Sequence, residues 1–523
     1  MSLRSLRAWP EALGIVTMLL LAMTAWISYG RRAALATMLV VGVAFPFVIF
    51  SRVAMIEAFL LPAQAVLLLA LFGLIRGDRV GWVVGAAMVL CFAVKASAAL
   101  FIVPMLGGLL AVFALQAGSG RSFRANLKDF RLPGMIVAVA VAGAAFYMLV
   151  IHGRQAEWWF QNFTTYVKPR ATLTLFDLAQ KVILLPTHSE GVLVAMGPIS
   201  MLAAVEAVRC LSWLRERRTA PKDPAGRLPA AELWRVFLTF TTILSIVLCV
   251  AMDTSGRRVL MIAPLMILLG AGALKEPLLG GDWAQCTRRR RAIILALCSP
   301  LLYVAARGLY CAVTQSVRAM VTDNNLWSTP FLTERKDLPV AGVELGVFIL
   351  LAAIVLWIAI ARPGRLGGWR FAPAMVVLMV VLQGGFLADY FLHRTYTMYD
   401  TSRELGKLLP PGTVVLGNSA NAVCWENRIK PIFTLPGIRY ANREGENLQK
   451  WNARFALVDA DQAPTSAGFD WDRYAQRISR PGTSPFWHEF DTVRTFWSVY
   501  DVQPWNFRRQ DAKGYYVLLE RSR

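Results

Sequence analysis

Val80–Leu115 reads VGWVVGAAMVLCFAVKASAALFIVPMLGGLLAVFAL, an apolar stretch whose one charged residue, Lys95, stands near its middle. As a single helix it would run roughly 50 Å, well beyond a hydrocarbon core of about 30 Å. A lone lysine is costly at mid-bilayer and cheap at an interface. The stretch is therefore expected to form two helices, near 80–94 and 97–115, that turn at a membrane surface beside Lys95. A chain that does this crosses a bilayer more than once.

Working outward, apolar runs of similar length fall near 11–28, 33–50 and 55–75 before this stretch, and near 132–152, 190–212, 234–252, 258–274, 292–313, 341–361 and 370–392 after it. Each is bounded by Arg, Gly, Pro or Asn, which makes about twelve helices. Composition agrees. Of 523 residues 56% are hydrophobic and 17% charged, with a mean hydropathy of +0.48, so much of the apolar material must face lipid.

The formal charge of +22 invites a nucleic-acid reading, but its location argues against one. From Arg394 onward 18 Lys or Arg stand against 14 Asp or Glu, so the excess lies in the short loops between apolar runs. One alternate set of loops, beginning at Arg31 and Arg32 and including Arg235, Lys275 and Arg288–Arg291, carries 22 basic residues; the opposite set carries 11 in longer loops. Basic loops stay inside, so the first set is expected to be cytoplasmic. The N-terminus, the loops around 153–189 and 314–340, and the C-terminal part are then expected outside. Arg4 and Arg7 in the opening MSLRSLRAWP conflict locally with that placement, and a helix upstream of Met1 would resolve the conflict.

The seven cysteines show no C-x-x-C spacing, and only Cys424 lies in the C-terminal part, which therefore holds no internal disulfide. His152, His188, His393 and His488 are scattered singly, so no metal cluster is indicated, and a divalent cofactor is neither called for nor excluded. Trp158, Trp159, Phe160, Phe163 and Tyr166, followed by Lys168 and Arg170, suit an interfacial helix on the outer leaflet, as an anchor or a platform for a lipid substrate. Residues 1–394 thus read as an all-α membrane domain and 395–523 as a small α/β outer domain. In the latter, a helix is expected over Tyr399–Leu409, a stop at Pro410-Pro411-Gly412, and strands over Thr413–Leu416, Phe455–Val458 and Tyr515–Leu519. The Gly417-Asn418-Ser419 turn reads as a simple strand-to-helix turn, with a phosphate cradle as the sharper alternative.

Charges at the outer ends of helices are fewer and more informative than charges free in loops. Arg52 and Glu57 flank the start of the third helix, Lys95 marks the turn between the fourth and fifth, and Asp253, Arg257 and Arg258 form the short turn DTSGRR. Snorkelling anchors account for any one of them. Together, cations beside a carboxylate at a membrane face suit the departure of a lipid-linked phosphate while the acid takes a proton from an incoming hydroxyl.

The stretches GRRAALATMLVVGVAFPFVIFSRVAMIEAFLLP (30–62), GWVVGAAMVLCFAVKASAALFIVP (81–104) and SGRRVLMIAPLMILL (255–269), with SRELGKLLPPGTVVLGN (402–418), resemble the GT-C membrane glycosyltransferases. That group includes the aminoarabinose lipid A transferases and the dolichyl-phosphate-mannose protein mannosyltransferases. The resemblance runs from Trp9 to about Leu274 and implies a GT-C-like fold and transfer of a sugar from a polyprenyl-phosphate donor to a lipid, glycan or protein hydroxyl on the outer face; the excess of Arg over Lys and the frequent Ala suggest a GC-rich bacterium, hence an inner membrane and a periplasmic face. It implies that Lys95, Arg257 and Arg258 hold the donor phosphate and that Glu57 matches an acidic residue at the third helix's outer end. The family opens with a further helix and an outer loop bearing an acidic residue, and this sequence starts after both. Glu57 or Asp253 would then substitute, or the chain is an inactive relative or a fragment. A transporter or flippase of lipid-linked saccharide remains the alternative from another class, although no internal repeat is visible.

Overall fold

The computed structural model describes residues 3–44, 47–48, 57–94, 98–118, 143, 196–219, 228–252, 260–275, 283, 286–322, 338–361, 371–392, 397–417, 420–424, 427–432, 451–460, 490–499 and 513–521. The chain forms two compact units. One comprises Trp9–Leu326 and Pro330–Leu387; the other comprises Ala388–Arg523 with Met1–Ala8 and Trp327–Thr329.

The larger unit is all-α and multi-pass. Its helices are α1 (Leu3–Tyr29), α2 (Arg31–Val43), α3 (Glu57–Arg76), α4 (Gly81–Val94), α5 (Ala99–Gly118), α6 (Gly197–Thr219), α7 (Ala230–Met252), α8 (Ala263–Gly272), α9 (Arg288–Leu297), α10 (Ser299–Thr322), α11 (Leu338–Ala361) and α12 (Phe371–Leu392), with a 3-10 turn at Leu260–Ile262. Among the described residues four helices are long and apolar enough to cross a membrane outright: Ala8–Tyr29, Ala58–Arg76, Gly197–Leu214 and Ala230–Cys249. Shorter apolar helices occupy most of the other expected runs, Gly81–Phe92, Phe101–Gln116, Leu260–Gly272, Gly346–Ala361 and Ala372–Gly385 among them. The expected span at 132–152 and the interfacial segment at 153–189 lie outside the described residues, Gly143 excepted.

Local chemistry sets the breaks. Gly30 adopts φ +96°, a conformation open to glycine, and α2 starts directly after it. The run expected to continue to residue 50 breaks after Val43, where Ala44 turns extended, and Phe47 and Val48 are helical again; Pro46 disfavours helix at the residue before it. Helix α4 ends at Val94 and α5 begins at Ala99, so the Val80–Leu115 stretch is divided where Lys95 predicts. One expectation is corrected. The run at 292–313 is not one straight span, because α9 and α10 meet at a bend of 75° about Cys298. Pro300, in the first turn of α10, has no N–H for the preceding turn and its ring clashes with a continuing helix.

Close approaches fix how the helices thread. A Cβ on Gly107 would lie 2.6 Å from Leu244 and one on Gly108 2.9 Å from the Phe237 carbonyl, so α5 packs on α7 through its smallest residues and runs antiparallel to it. Gly270 meets Ile199 and Ala203, and Gly272 meets Glu206 and Tyr29, so α8 runs parallel to α6 and the C-terminal ends of α1 and α8 meet. Phe72, near the end of α3, packs edge-on against Trp234 at the start of α7, with centroids 5.3 Å apart. These registers fix the relative directions of α3, α5, α6, α7 and α8 within the bundle.

The smaller unit is α/β. Its helices are α13 (Thr397–Leu408) and α14 (Ala420–Val423); its strands are β1 (Val414–Leu416), β2 (Lys430–Ile432), β3 (Phe455–Ala460), β4 (Phe490–Val499) and β5 (Lys513–Arg521). They form a five-stranded sheet in the order β2-β1-β3-β5-β4. β1 is parallel to β2 and β3, while β5 is antiparallel to β3 and β4. Leu405 and Leu409 close over Val415, Ala420, Val423, Cys424, Ile429, Leu457 and Leu518. The helix and three of the strands lie where the sequence places them; β2 and β4 are additions.

Candidate active site

The six residues selected by sequence, Arg52, Glu57, Lys95, Asp253, Arg257 and Arg258, lie outside the described residues, except that Glu57 is the first residue of α3 without a described side chain. What the structure fixes is the set of helix ends beside them. Gln64 Nε2 donates a buried hydrogen bond of 2.7 Å to the Met261 carbonyl. This ties α3, about 10 Å inward from Glu57, to the 3-10 turn just after Arg258. The bond is specific, since it satisfies a carbonyl at a helix start where no helical donor reaches it and is the kind of buried contact that holds a register.

Two further registers bring other ends to the same level. From the contact of Gly108 with Phe237 and Thr241, α5 runs back to Ala98 and α7 runs on to Met252, each over about 15 Å. The α3–α4 hairpin turns at Gly77, which takes φ +103° and donates to the Gly73 carbonyl at 3.0 Å. Measured from that turn, Gln64 and Val94 stand at about 18 and 20 Å on adjoining helices. Helices α3, α4, α5 and α7 and the 3-10 turn are packed neighbours. Val94, Ala98, Met252 and Leu260, the described residues nearest Lys95, Asp253, Arg257 and Arg258 in sequence, therefore cluster at one end of this bundle.

The opposite end holds a site that sequence reasoning missed. Glu206 of α6 has no exposed surface; its carboxylate lies 2.6 Å from Arg235 Nε and 3.0 Å from Arg209 Nη1. Arg235 reaches Glu232 in turn at 2.7 Å. The Arg235–Glu206 contact is Coulombic, because its N–H is not aimed at the oxygen, whereas the Arg209 and Glu232 contacts are hydrogen-bonded. Tyr29 is packed against this group beside Gly272. Arg235, read from sequence as a loop charge, is thus a buried member of a network with two carboxylates and two guanidiniums. The i, i+3 spacings Glu206–Arg209 and Glu232–Arg235 were the available signal.

A cavity of about 230 Å3 opens near the same end, lined by Ile27, Val66, Leu69, Ala70, Phe72 and Val83, with the paired Arg76 and Asp78 at its edge. Among the described residues no three His, Cys, Asp or Glu side chains converge to hold a metal ion. In the smaller unit the amide of Gly417 donates to the Ile432 carbonyl at 3.1 Å, which takes up the foremost donor of the possible phosphate turn.

The fold and the helix ends define a multi-pass α-helical membrane protein with an appended α/β domain. No protein-family profile and no curated protein matches the chain. Among solved structures it is similar to ArnT from Cupriavidus metallidurans bound to undecaprenyl phosphate, at 14% identity and a TM-score of 0.47, over 98% of this chain and 83% of that one. It is similar to the apo state of the same protein at 15% identity and a TM-score of 0.45, with the same coverage. A likeness at this level carries no argument about chemistry.

Proposed function

We propose that this protein is a membrane glycosyltransferase that moves a sugar from a polyprenyl-phosphate donor to a hydroxyl group of a lipid, glycan or protein. The observation that supports this reading most is the clustering of Val94, Ala98, Met252 and the Gln64–Met261 contact at one end of a single bundle. The sequence resemblance and the grouping of cations beside carboxylates carry the rest. In this reading residues 1–394 form the membrane domain of about twelve helices in a bacterial inner membrane, and 395–523 a periplasmic domain.

The chemistry asks for two things at a membrane surface. The bond from the sugar's anomeric carbon to the phosphate oxygen breaks with its electron pair on the phosphate, and Arg52, Lys95, Arg257 and Arg258 neutralise the charge that develops there. The acceptor oxygen forms the new glycosidic bond while Glu57 or Asp253 takes its proton. A transport reading gains little from the buried network at the other end, since its two carboxylates each face a guanidinium and leave no net charge for a cargo.

The test is transfer of radiolabel from a polyprenyl-phosphate sugar to membrane acceptors by the full chain in vesicles. Transfer that is lost in Lys95→Ala and Glu57→Ala supports the assignment. Transfer that both variants leave unchanged refutes the site, and binding of donor without turnover refutes the activity.

A further inference from the structure

Helix α9 opens CTRRRRAIILAL over 286–297, with four arginines in its first turn. The N-terminus of a helix already carries the positive end of the macrodipole, so four cations there oppose it. Topology explains basic residues in this loop, but a topogenic arginine needs water, and two of these are not fully in it. Arg291 is only 7% exposed and shares its buried face with Ile294 and Leu295. Among the described residues, its Nε and Nη1, the Nε and Nη2 of Arg290, and the indole Nε1 of the buried Trp283 are enclosed without an acceptor. Enclosing guanidinium donors without an anion is costly, so an anion at this turn would relieve the cost.

The helix directs the arginine donors to one place. Side chains in a helix lean toward its N-terminus, so Arg290 and Arg291 lean toward the amides of Arg288 and Arg289, which have no intrahelical acceptor. Thr287 caps the Arg290 amide alone, its Oγ1 accepting at 3.3 Å. The buried network of Glu206 and Arg235 is the counterexample within the same unit, because there each guanidinium has its carboxylate. What lies below the first turn identifies the kind of anion. Arg290 stands above the exposed pair Ile293 and Leu297, about 60° and 20° of helical arc away, with Ile293 41% and Leu297 57% exposed. Guanidiniums at the top of a bare apolar stripe match a phosphate head above an acyl chain.

We propose that the first turn of α9 binds the phosphate of an anionic phospholipid, through Arg290 and Arg291, with an acyl chain along Ile293 and Leu297. The charge asymmetry places this site in the cytoplasmic leaflet. It is independent of the proposed transfer reaction and of the donor-binding residues.

The test uses the purified full chain, stripped of lipid, with binding read by native mass spectrometry. Phosphatidylglycerol, phosphatidylcholine and inorganic phosphate are the three probes. The wild type should retain phosphatidylglycerol about tenfold better than phosphatidylcholine, the effect of one or two charge-assisted hydrogen bonds. Arg290→Gln with Arg291→Gln should remove that preference, and Arg288→Gln with Arg289→Gln should leave most of it. Ile293→Ala, which removes the acyl contact without putting a charge in lipid, should also weaken retention and decides the matter if the double arginine variant does not fold. Equal retention of the two lipids, or a preference that survives both Arg290/Arg291 and Ile293 changes, overturns the proposal. Tight binding of inorganic phosphate without phosphatidylglycerol overturns the lipid assignment.

Discussion

Replacing Glu206 by glutamine keeps the side chain's volume and removes one buried charge, which makes it a clean probe of the network that joins α6 to α7. Glu206 has no exposed surface and contacts Arg235 at 2.6 Å and Arg209 at 3.0 Å. At an effective dielectric constant of about 20, a unit-charge pair 4 Å apart already has about 4 kcal/mol of attraction before desolvation. Removing one member of a buried pair costs about 3–5 kcal/mol, because the remaining charge stays enclosed. Arg235 keeps Glu232 at 2.7 Å, so the loss in Glu206→Gln should fall inside that range and not exceed it. Arg235→Met should cost a similar amount. The double variant, which clears both charges, should be more stable than the sum of the singles by about 1–3 kcal/mol. Equilibrium unfolding in mixed micelles measures all three. A cost below about 1 kcal/mol for Glu206→Gln, or strict additivity in the cycle, would refute the idea that this network holds the two helices together.

Tyr29→Phe should be neutral or slightly stabilising by the same assay, because the buried hydroxyl has no hydrogen-bond partner to lose. Gly108→Ala should destabilise by about 1–3 kcal/mol as the new methyl meets the Phe237 carbonyl, while Gly346→Ala, with open space around it, should change stability by no more than about 1 kcal/mol and in the favourable direction. Gly417→Ala should abolish folding of the α/β unit, seen as loss of protection from proteolysis, because φ is +146° and the methyl would strike the Leu457 carbonyl. Burial pushes the Cys424 thiol up from 9.0 to about 12, so the folded unit keeps it protonated where the unfolded chain ionises. That contribution is fully present below pH 9.0 and is lost as pH rises toward about 12, and Cys424→Ala should flatten the alkaline limb of the stability profile.

Much of the architecture was legible because the bilayer restricts what apolar length can mean. Lys95 divided its stretch correctly for a simple reason: a charge that cannot rest at mid-bilayer marks an end. The bend at Cys298 was missed because an apolar-run count ignores Pro300, and the early end of α2 because Pro46 was read as part of a span. Arg235 was misplaced for a different reason. Charge counting assigns any arginine near a helix end to water, and only packing shows that Glu206, one helix away, has drawn it inside. In the α/β unit, β1, β3 and β5 carry the apolar runs of the core and were read directly. β2 is three residues with Pro431 at its centre, a pattern that fits only an edge, where it is found. β4 is the other edge, and its alternation is blurred by a bulge between Thr492 and Arg494. The charged residues proposed for the active site came from sequence alone; that Val94, Ala98, Met252 and Leu260 beside them share one level required the registers of Gln64, Gly108 and Gly77.

The central claim is that the end of the bundle bearing Lys95 performs sugar transfer from a lipid-linked phosphate. Its most direct test is the rate of transfer from radiolabelled polyprenyl-phosphate sugar in vesicles containing the full chain or its Lys95→Ala variant at matched protein levels. The account predicts transfer by the full chain and a fall of about a hundredfold or more in the variant, the loss that follows from removing one preorganised charge at a leaving group. Equal rates from the two proteins would contradict it.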